Sequence, residues 1–146
     1  MYNKILVPLD GSKIAECAIE HVKTIATGCN VPEVDLLFVV EPIPAGLYQS
    51  SVEGKEKLMA WGKDSLAKIE KSLVTDGIAV KSIVLEGKQA ETIVDYAAKN
   101  DIDLIVMSTH GRSGPSRWAF GSVTDKVIRA SPVSVLIVVP KECRRG

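Results

Sequence analysis

At 146 residues, with 46% apolar and 25% charged side chains, the chain has the make-up of an ordinary globular domain, which excludes collagen-like, compositionally disordered and disulfide-rich architectures. Eighteen basic residues balance eighteen acidic ones, so no overall field draws the protein to nucleic acid or to an anionic membrane, and any anion site must be local. One domain spanning residues 1–146 is expected, large enough to bury roughly two-thirds of its unfolded surface.

The first element is a strand over residues 4–9, "KILVPL", almost continuously apolar. Ile14, Ala18, Val22 and Ile25 or Ala26 then recur at helical spacing, with Ser12 as N-cap and Gly28 as the stop. Residues 34–40 form a second buried strand. The segment 41–50, "EPIPAGLYQS", clusters proline without periodicity and reads as a loop and candidate lid over a strand end. A longer, more polar helix follows over 52–76, with Leu66, Ile69 and Leu73 inward and Gly77 ending it. Residues 78–85 make a mixed strand, with one wetter side or an edge position. A helix over 90–99, a buried strand over 102–107, a helix over 122–130 with Val123 and Val127 inward, and a last apolar strand over 133–139 complete the series. Strands that alternate with helices, and that are apolar on both faces, define an α/β domain built on a mainly parallel sheet.

The cysteines, Cys17, Cys29 and Cys143, are odd in number and widely spaced. They fit neither a disulfide framework nor a zinc site, and they predict a reducing cytoplasm. No apolar run approaches the roughly 18 residues that span a bilayer, and "MYNKILVPLD" lacks the pattern of a secretory leader, so a cytoplasmic location is expected. The final "KECRRG" reads as a solvated tail.

In an open parallel sheet, ligands bind beyond the carboxyl ends of the strands, where strand order reverses. "PLDGS" puts Asp10 at such an end, and "STHGRSGPSRWAFGSVTDK" follows the fourth strand. The latter has three glycines, Gly111, Gly114 and Gly121, and runs into a helix that starts at Gly121 or Ser122. Glycines let backbone amides close on an anion, and a helix N-terminus adds oriented donors, so phosphate is the natural guest. Arg112 and Arg117 stand at its rim, either on the phosphate or simply solvated. Neither G-x-x-x-x-G-K-[ST] nor G-x-G-x-x-G after the first strand is present, which weighs against P-loop enzymes and dinucleotide oxidoreductases. Trp118 and Phe120 read as packing anchors, and Trp61 as core or interface.

"DLIVMSTHGRSG", then "WAFGSVTDKVIRASPVSVLIVV", with the opening "KILVPLDGS", closely resembles the universal stress protein family over essentially the whole chain. The resemblance implies a single open five-stranded parallel sheet in the order 3-2-1-4-5 with helices on both faces, a Rossmann-like α/β fold whose switch point lies between strands one and four. The nucleotide-binding branch carries G-x2-G-x9-G-[ST]. Gly111, Gly121 and Ser122 match it in register, and Ser108 replaces the first glycine. If that position requires positive φ, serine costs about 1 kcal/mol relative to glycine, with Gly114 and the Ser108 hydroxyl as local compensation.

The resemblance implies an adenine-nucleotide site, for ATP or else ADP or AMP, made by Pro8, Leu9, Asp10, Val39, Ser108, His110, Gly111, Arg112, Gly114, Gly121, Ser122 and Val123. Asp10 would face the ribose or a Mg²⁺ ion, and the Val39 backbone the adenine edge. Each has a plainer alternative or neighbour to weigh. Asp10 alternatively caps the first helix, Ser122 forms a capping box with Asp125, and Gly87 either borders the adenine or only turns the chain. His110 is read as a structural group or phosphate donor, and no catalytic residue is assigned. The expected function is regulatory ATP binding in stress response. The alternatives are a slow ATPase or nucleotidyl-transferring enzyme using the same pocket, and a nucleotide-free dimeric interaction module. A homodimer is expected through the last strand, between Val133 and Val139, whose apolar edge invites pairing.

Overall fold

The computed structural model of the chain describes residues 1–42, 51–109 and 121–140. The expected lid beyond residue 42, the loop from His110 to Phe120 with Gly111, Arg112 and Gly114, and Cys143 with the basic tail lie outside the described residues.

The elements run β1 (Lys4–Leu9), α1 (Lys13–Glu16), α2 (Ala18–Gly28), β2 (Glu33–Val40), α3 (Ser51–Thr75), β3 (Val80–Glu86), α4 (Gln89–Lys99), β4 (Leu104–Ser108), α5 (Ser122–Ala130) and β5 (Ser134–Val138). All strand pairs are parallel, in one five-stranded sheet of order β3-β2-β1-β4-β5. This is the expected architecture.

The period-two alternation of a strand divides the core into two layers. Ile5, Val7 and Leu9 of β1 join Val34, Leu36, Phe38 and Val40 of β2 on one face, under Val22 of α2 and Leu66 and Leu73 of α3. Leu6, Leu37, Val39, Ile105 and Met107 turn to the other face, under Ile93 and Ala97 of α4 and Val127 of α5. Three strands are therefore buried on both sides, which is why they read as continuous apolar runs. Full burial of a leucine such as Leu36 or Leu37 stabilises the fold by about 1.5–3 kcal/mol. The mixed strand is an edge, as its polar positions Lys81, Ser82 and Glu86 require: all three are exposed.

Helix ends differ from expectation in instructive ways. Ser12 does cap the first helix, its Oγ accepting from the Ala15 amide at 3.1 Å. That helix is nonetheless broken at Cys17, whose amide bonds back only three residues to the Ile14 carbonyl at 3.1 Å, a tightened turn that separates α1 from α2. Gly28 is the last helical residue rather than the stop; Asn30, at φ +51°, makes the left-handed turn, which a short amide side chain tolerates. Gly77 ends α3 as expected. At φ +80° it donates to Val74, and Ile78 donates to Leu73 at 3.1 Å, the two bonds of a Schellman motif.

Candidate functional site

β1 and β4 share a ladder over only two register pairs, Ile5 with Leu104 and Leu6 with Ile105. β1 meanwhile keeps step with β2 along six pairs, and β4 with β5 along five. At the amino end the two strands are stitched further, because the Asp103 amide donates to the Lys4 carbonyl at 2.9 Å. Towards the carboxyl end they separate. Pro8 has no amide to donate there, and the chain leaves β1 towards one layer of helices while β4 is entered from the other.

The opening is a cleft that lies partly open to solvent. Pro8, Leu9, Asp10, Val39, Ser108 and Val123 line it. Ser12, Ala15, Gln89, Ile93, Met107, Thr109 and Thr124 line it too, and were missed. Most of these sit one residue past a strand end or in the first turn of a helix, which is the signal that would have found them. Gly121 and Ser122 stand at the start of α5, immediately before the lining residues Val123 and Thr124.

Gly121, at φ +89° and ψ 153°, is the N-cap of α5 and brings no capping side chain. Ser122 is the first helical residue, so the capping box expected of "SVTD" does not form. The first bond of the helix is Asp125 N to Gly121 O at 3.0 Å, which leaves the amides of Ser122, Val123 and Thr124 without intrahelical acceptors. The positive end of the helix macrodipole thus stands at the cleft.

Opposite, Asp10 is exposed, and its Oδ1 accepts from the Ser12 amide at 2.9 Å. It holds the turn that Ser12 caps, and is not itself the cap. Between them Gly11 takes φ +82°, and a Cβ there would overlap the indole of Trp61. Trp61 is therefore neither core nor free surface. Half exposed, it lies across this turn and meets Phe38 edge-on at 5.5 Å between ring centroids.

Ser108 ends β4 in register with Val138. The non-glycine residues with positive φ among those described are Asn30 and Asp101, so the strain considered for serine at this position does not arise. Its Oγ is buried and has no hydrogen-bond partner among the described residues. The next residue, Thr109, spends its amide on the Val138 carbonyl at 3.0 Å. Gly87 stands apart from the cleft: its amide donates to Val40 O at 2.9 Å, and a Cβ would meet Thr92 Oγ1, so it serves the turn into α4. The first turn of α4 receives an internal acceptor, Glu41 Oε1, 3.3 Å from the Gln89 amide. Among the described residues no cluster of three or more His, Cys, Asp or Glu side chains could hold a metal by itself.

Fold and cleft together define an open parallel α/β protein whose switch-point crevice is lined by helix-terminal amides, a hydroxyl and a carboxylate. The sequence profile of the universal stress protein family matches residues 1–139. Universal stress protein MJ0577 of Methanocaldococcus jannaschii is 36% identical over 97% of this chain and 97% of its own length. The solved structure of MJ0577 matches with a TM-score of 0.85 at 38% identity, over 97% of this chain and 98% of that one. Universal stress protein UspA from Lactobacillus plantarum matches at 0.82 and 30%, over 94% and 97%. An Arabidopsis thaliana protein of the family, crystallised with AMP bound, shares the fold at a TM-score of 0.70 and 16% identity, over 97% and 98%. The chain belongs to the universal stress protein family.

Proposed function

We propose that this protein binds an adenine nucleotide, ATP foremost, in the β1–β4 cleft and acts as a cytoplasmic regulator in stress response, as one domain over its whole length. The observation that carries this reading is the polarity of the cleft. The Ser108 hydroxyl and the amides of Val123 and Thr124, all without hydrogen-bond partners among the described residues, and the Asp10 carboxylate belong to residues that line it. Donors suit phosphate oxygens and a carboxylate suits ribose hydroxyls, while Leu37, Val39, Ile93 and Met107 supply an apolar wall for a base. AMP bound to the Arabidopsis protein of the same fold supports the choice of adenine.

In this reading Pro8, Leu9 and Val39 border the nucleoside, and Ser108, His110, Gly111, Arg112, Gly114, Gly121, Ser122 and Val123 border the phosphates. A Mg²⁺ ion would be held by Asp10 together with phosphate oxygens. One carboxylate is enough for an ion that keeps most of its other ligands as water and phosphate. No residue assigned to the cleft combines a general base with a second positioned group, so turnover is expected far below the median enzyme rate of roughly 10 per second.

Titration calorimetry with ATP tests the site. Gly121→Val should weaken binding about tenfold or more, because a β-branched residue resists φ +89° and the first amides of α5 lose their aim. Unchanged affinity in a variant with normal far-UV circular dichroism would move the phosphates elsewhere.

The last strand supports a homodimer. β5 is an edge of the sheet, and Leu136 and Val139 are exposed along it; pairing with its own copy through the segment bounded by Val133 and Val139 would cover this apolar rim. Sedimentation equilibrium at tens of micromolar is expected to give the dimer mass, and a monomer there would refute the pairing.

A further inference from the structure

We infer that the outer face of α4 and α5 is a self-association surface, on which a second copy of this chain docks so that the acidic wall of each groove meets the basic wall of the other. The inference concerns a face apart from the nucleotide cleft and from the β5 edge, and it rests on neither reading.

α4 and α5 lie side by side over one face of the sheet, with Ile93 and Val127 turned into the core. Between them, on the outer side, runs a groove open to solvent, with Val94, Ala98 and Ala130 on its apolar floor. Its α4 side carries Glu91 and Asp95, and its α5 side Lys126 and Arg129, all four exposed. The groove holds the two walls apart: among the described residues Glu91 and Lys126 make no ion pair. Asp95 and Arg129 reach only neighbours on their own helices, Lys99 and Asp125, each at 3.0 Å in an exposed i,i+4 pair. Pairs of that kind are weak and yield readily to another partner.

The complement of this face is an apolar strip bordered by the same charges in exchanged order, and a second copy supplies it. Two copies that meet face to face are related by a two-fold axis in the plane of contact. An axis across the groove lays α4 on α4 and α5 on α5, acid on acid and base on base. An axis along the groove lays α4 of each copy on α5 of the other and keeps every residue at its own height. Both helices start at the cleft end of the sheet, where Gln89 and Val123 stand. Glu91 and Asp95 are the third and seventh residues of α4, and Lys126 and Arg129 the fifth and eighth of α5. At 1.5 Å of rise per residue, each acid then comes within about 3 Å in height of a base on the other copy. Charge thus selects the axis along the groove. The face is about 16 Å long and two helices, roughly 20 Å, wide, a footprint below the roughly 800 Å² per partner of stable interfaces. The association is therefore weak, reversible and sensitive to salt.

The test is sedimentation velocity of the full chain from tens of micromolar to millimolar concentration, at about 0.05 M and about 0.5 M salt. Mass should grow with concentration beyond its low-concentration value, and grow several-fold less readily at the higher salt. Two double variants reverse one wall each: Glu91→Lys with Asp95→Lys, and Lys126→Glu with Arg129→Glu. Each alone should associate through this face at least tenfold more weakly than the parent, with far-UV circular dichroism unchanged, and an equimolar mixture of the two should recover the parent's association. Single reversals, Glu91→Lys and Lys126→Glu, should act in the same direction to a smaller extent. A mass that stays constant up to millimolar concentration would leave the groove to a different partner and overturn the proposal. Parent-like association in either double variant, or a mixture that fails to recover it, would overturn it equally. The β5 pairing is read separately: a parent monomer at tens of micromolar refutes that pairing, while a dimer that then forms at higher concentration and is lost on charge reversal supports the groove contact.

Discussion

The two ends of the sheet use similar residues to opposite purpose. At the amino end polar groups find one another. Asp103 Oδ2 accepts from the amides of Asn3 and Lys4 at 2.6 and 2.9 Å, Lys4 Nζ reaches Glu33 at 3.1 Å and Asp35 at 3.5 Å, and the Tyr96 hydroxyl donates to Asp35 at 2.7 Å. At the carboxyl end Pro8 interrupts the donors of β1, the ladder to β4 stops at Leu6, and the Ser108 hydroxyl and the first amides of α5 are left without protein partners among the described residues. Closing one end fixes the strands; leaving the other end open provides a place for a ligand. Polarity alone does not mark a site. The mark is unsatisfied polarity that lines an opening, since Asp35 Oδ1 at the closed end also lacks a partner among the described residues but is fully buried.

The closed end should answer to mutation in stability, and the open end in binding. Tyr96→Phe gives the largest stability effect of this kind. Asp35 is fully buried, and its Oδ1 already lacks a partner among the described residues. Removing the phenol leaves the Asp35 side chain with Lys4, at 3.5 Å, and the neighbouring Glu33. Urea unfolding should show a loss of about 1.5–3 kcal/mol, with ATP affinity unchanged, because Tyr96 does not line the cleft. A parallel loss of affinity would mean that the two ends are not separate.

Alkali sharpens the same contrast. Burial, and then the hydrogen bond and charge of Asp35, raise the Tyr96 phenol above its ordinary 10.0. Burial works against the Lys4 charge, yet the hydrogen bond to Glu33 and the charges of Asp35 and Glu33 outweigh it and raise Lys4 above 10.5. In each case the folded chain keeps a proton that the unfolded chain gives up first. The associated stability is whole below the unfolded values and is lost as pH climbs through the folded ones. Unfolding free energy should therefore fall with pH above about 10, and fall less steeply in Tyr96→Phe. Equal slopes from pH 9 to 11 would remove the phenol from the account.

Much of this division was legible in the sequence, for reasons that differ by residue. Strands buried on both faces have no choice but continuous apolar runs, so β1, β2 and β4 could be read directly, and Gly77 marked a helix end because a Schellman turn needs its φ. Asp10 could be placed at the cleft because strand ends on one side of a parallel sheet lie together, whereas Val39 and Ser108 were implied by the resemblance to the family. Thr124 and Gln89 were not, since a threonine or glutamine in a first helical turn looks like any other surface residue until the neighbouring strand is known. The Asp35–Tyr96 bond joins residues 61 apart, and no local pattern announces it. The box motif offers Ser122 as a cap in alternative to a phosphate contact; Gly121 takes the cap position by adopting a φ that a serine resists.

Trp61→Ala probes the border of the open end. The indole covers the Gly11 turn and braces Phe38, yet half of it is already in water. Its loss should therefore cost about 1 kcal/mol, below the range for a fully buried ring. Gly11 sits between Asp10 and Ser12, so a loosened turn should also weaken ATP binding a few-fold, and Trp61→Phe should recover most of both. If affinity is untouched while stability falls, the turn is held by Asp10 and Ser12 alone.

The smallest effect belongs to Arg129, and it sets the floor against which the others are judged. Arg129 lies in the last turn of α5, with Nε 3.0 Å from Asp125 Oδ2, in an i,i+4 pair whose side chains are 77% and 48% exposed. Exposed pairs of this kind contribute roughly 0.3–0.5 kcal/mol on a helix. Arg129→Ala should shift the urea midpoint by that little. It also frees the Asp125 carboxylate in the first turn of α5, where a negative charge suits the helix dipole but competes with a phosphate for the same positive end. Solvent and salt screen a group so exposed, and affinity for ATP at 0.15 M salt should change less than about twofold. Repeating the titration at 0.02 M salt makes the competition visible as a modest weakening. A tenfold loss at either salt would show that surface charge beyond the cleft governs binding, and the contrast between paired and unpaired ends would no longer explain where the ligand goes.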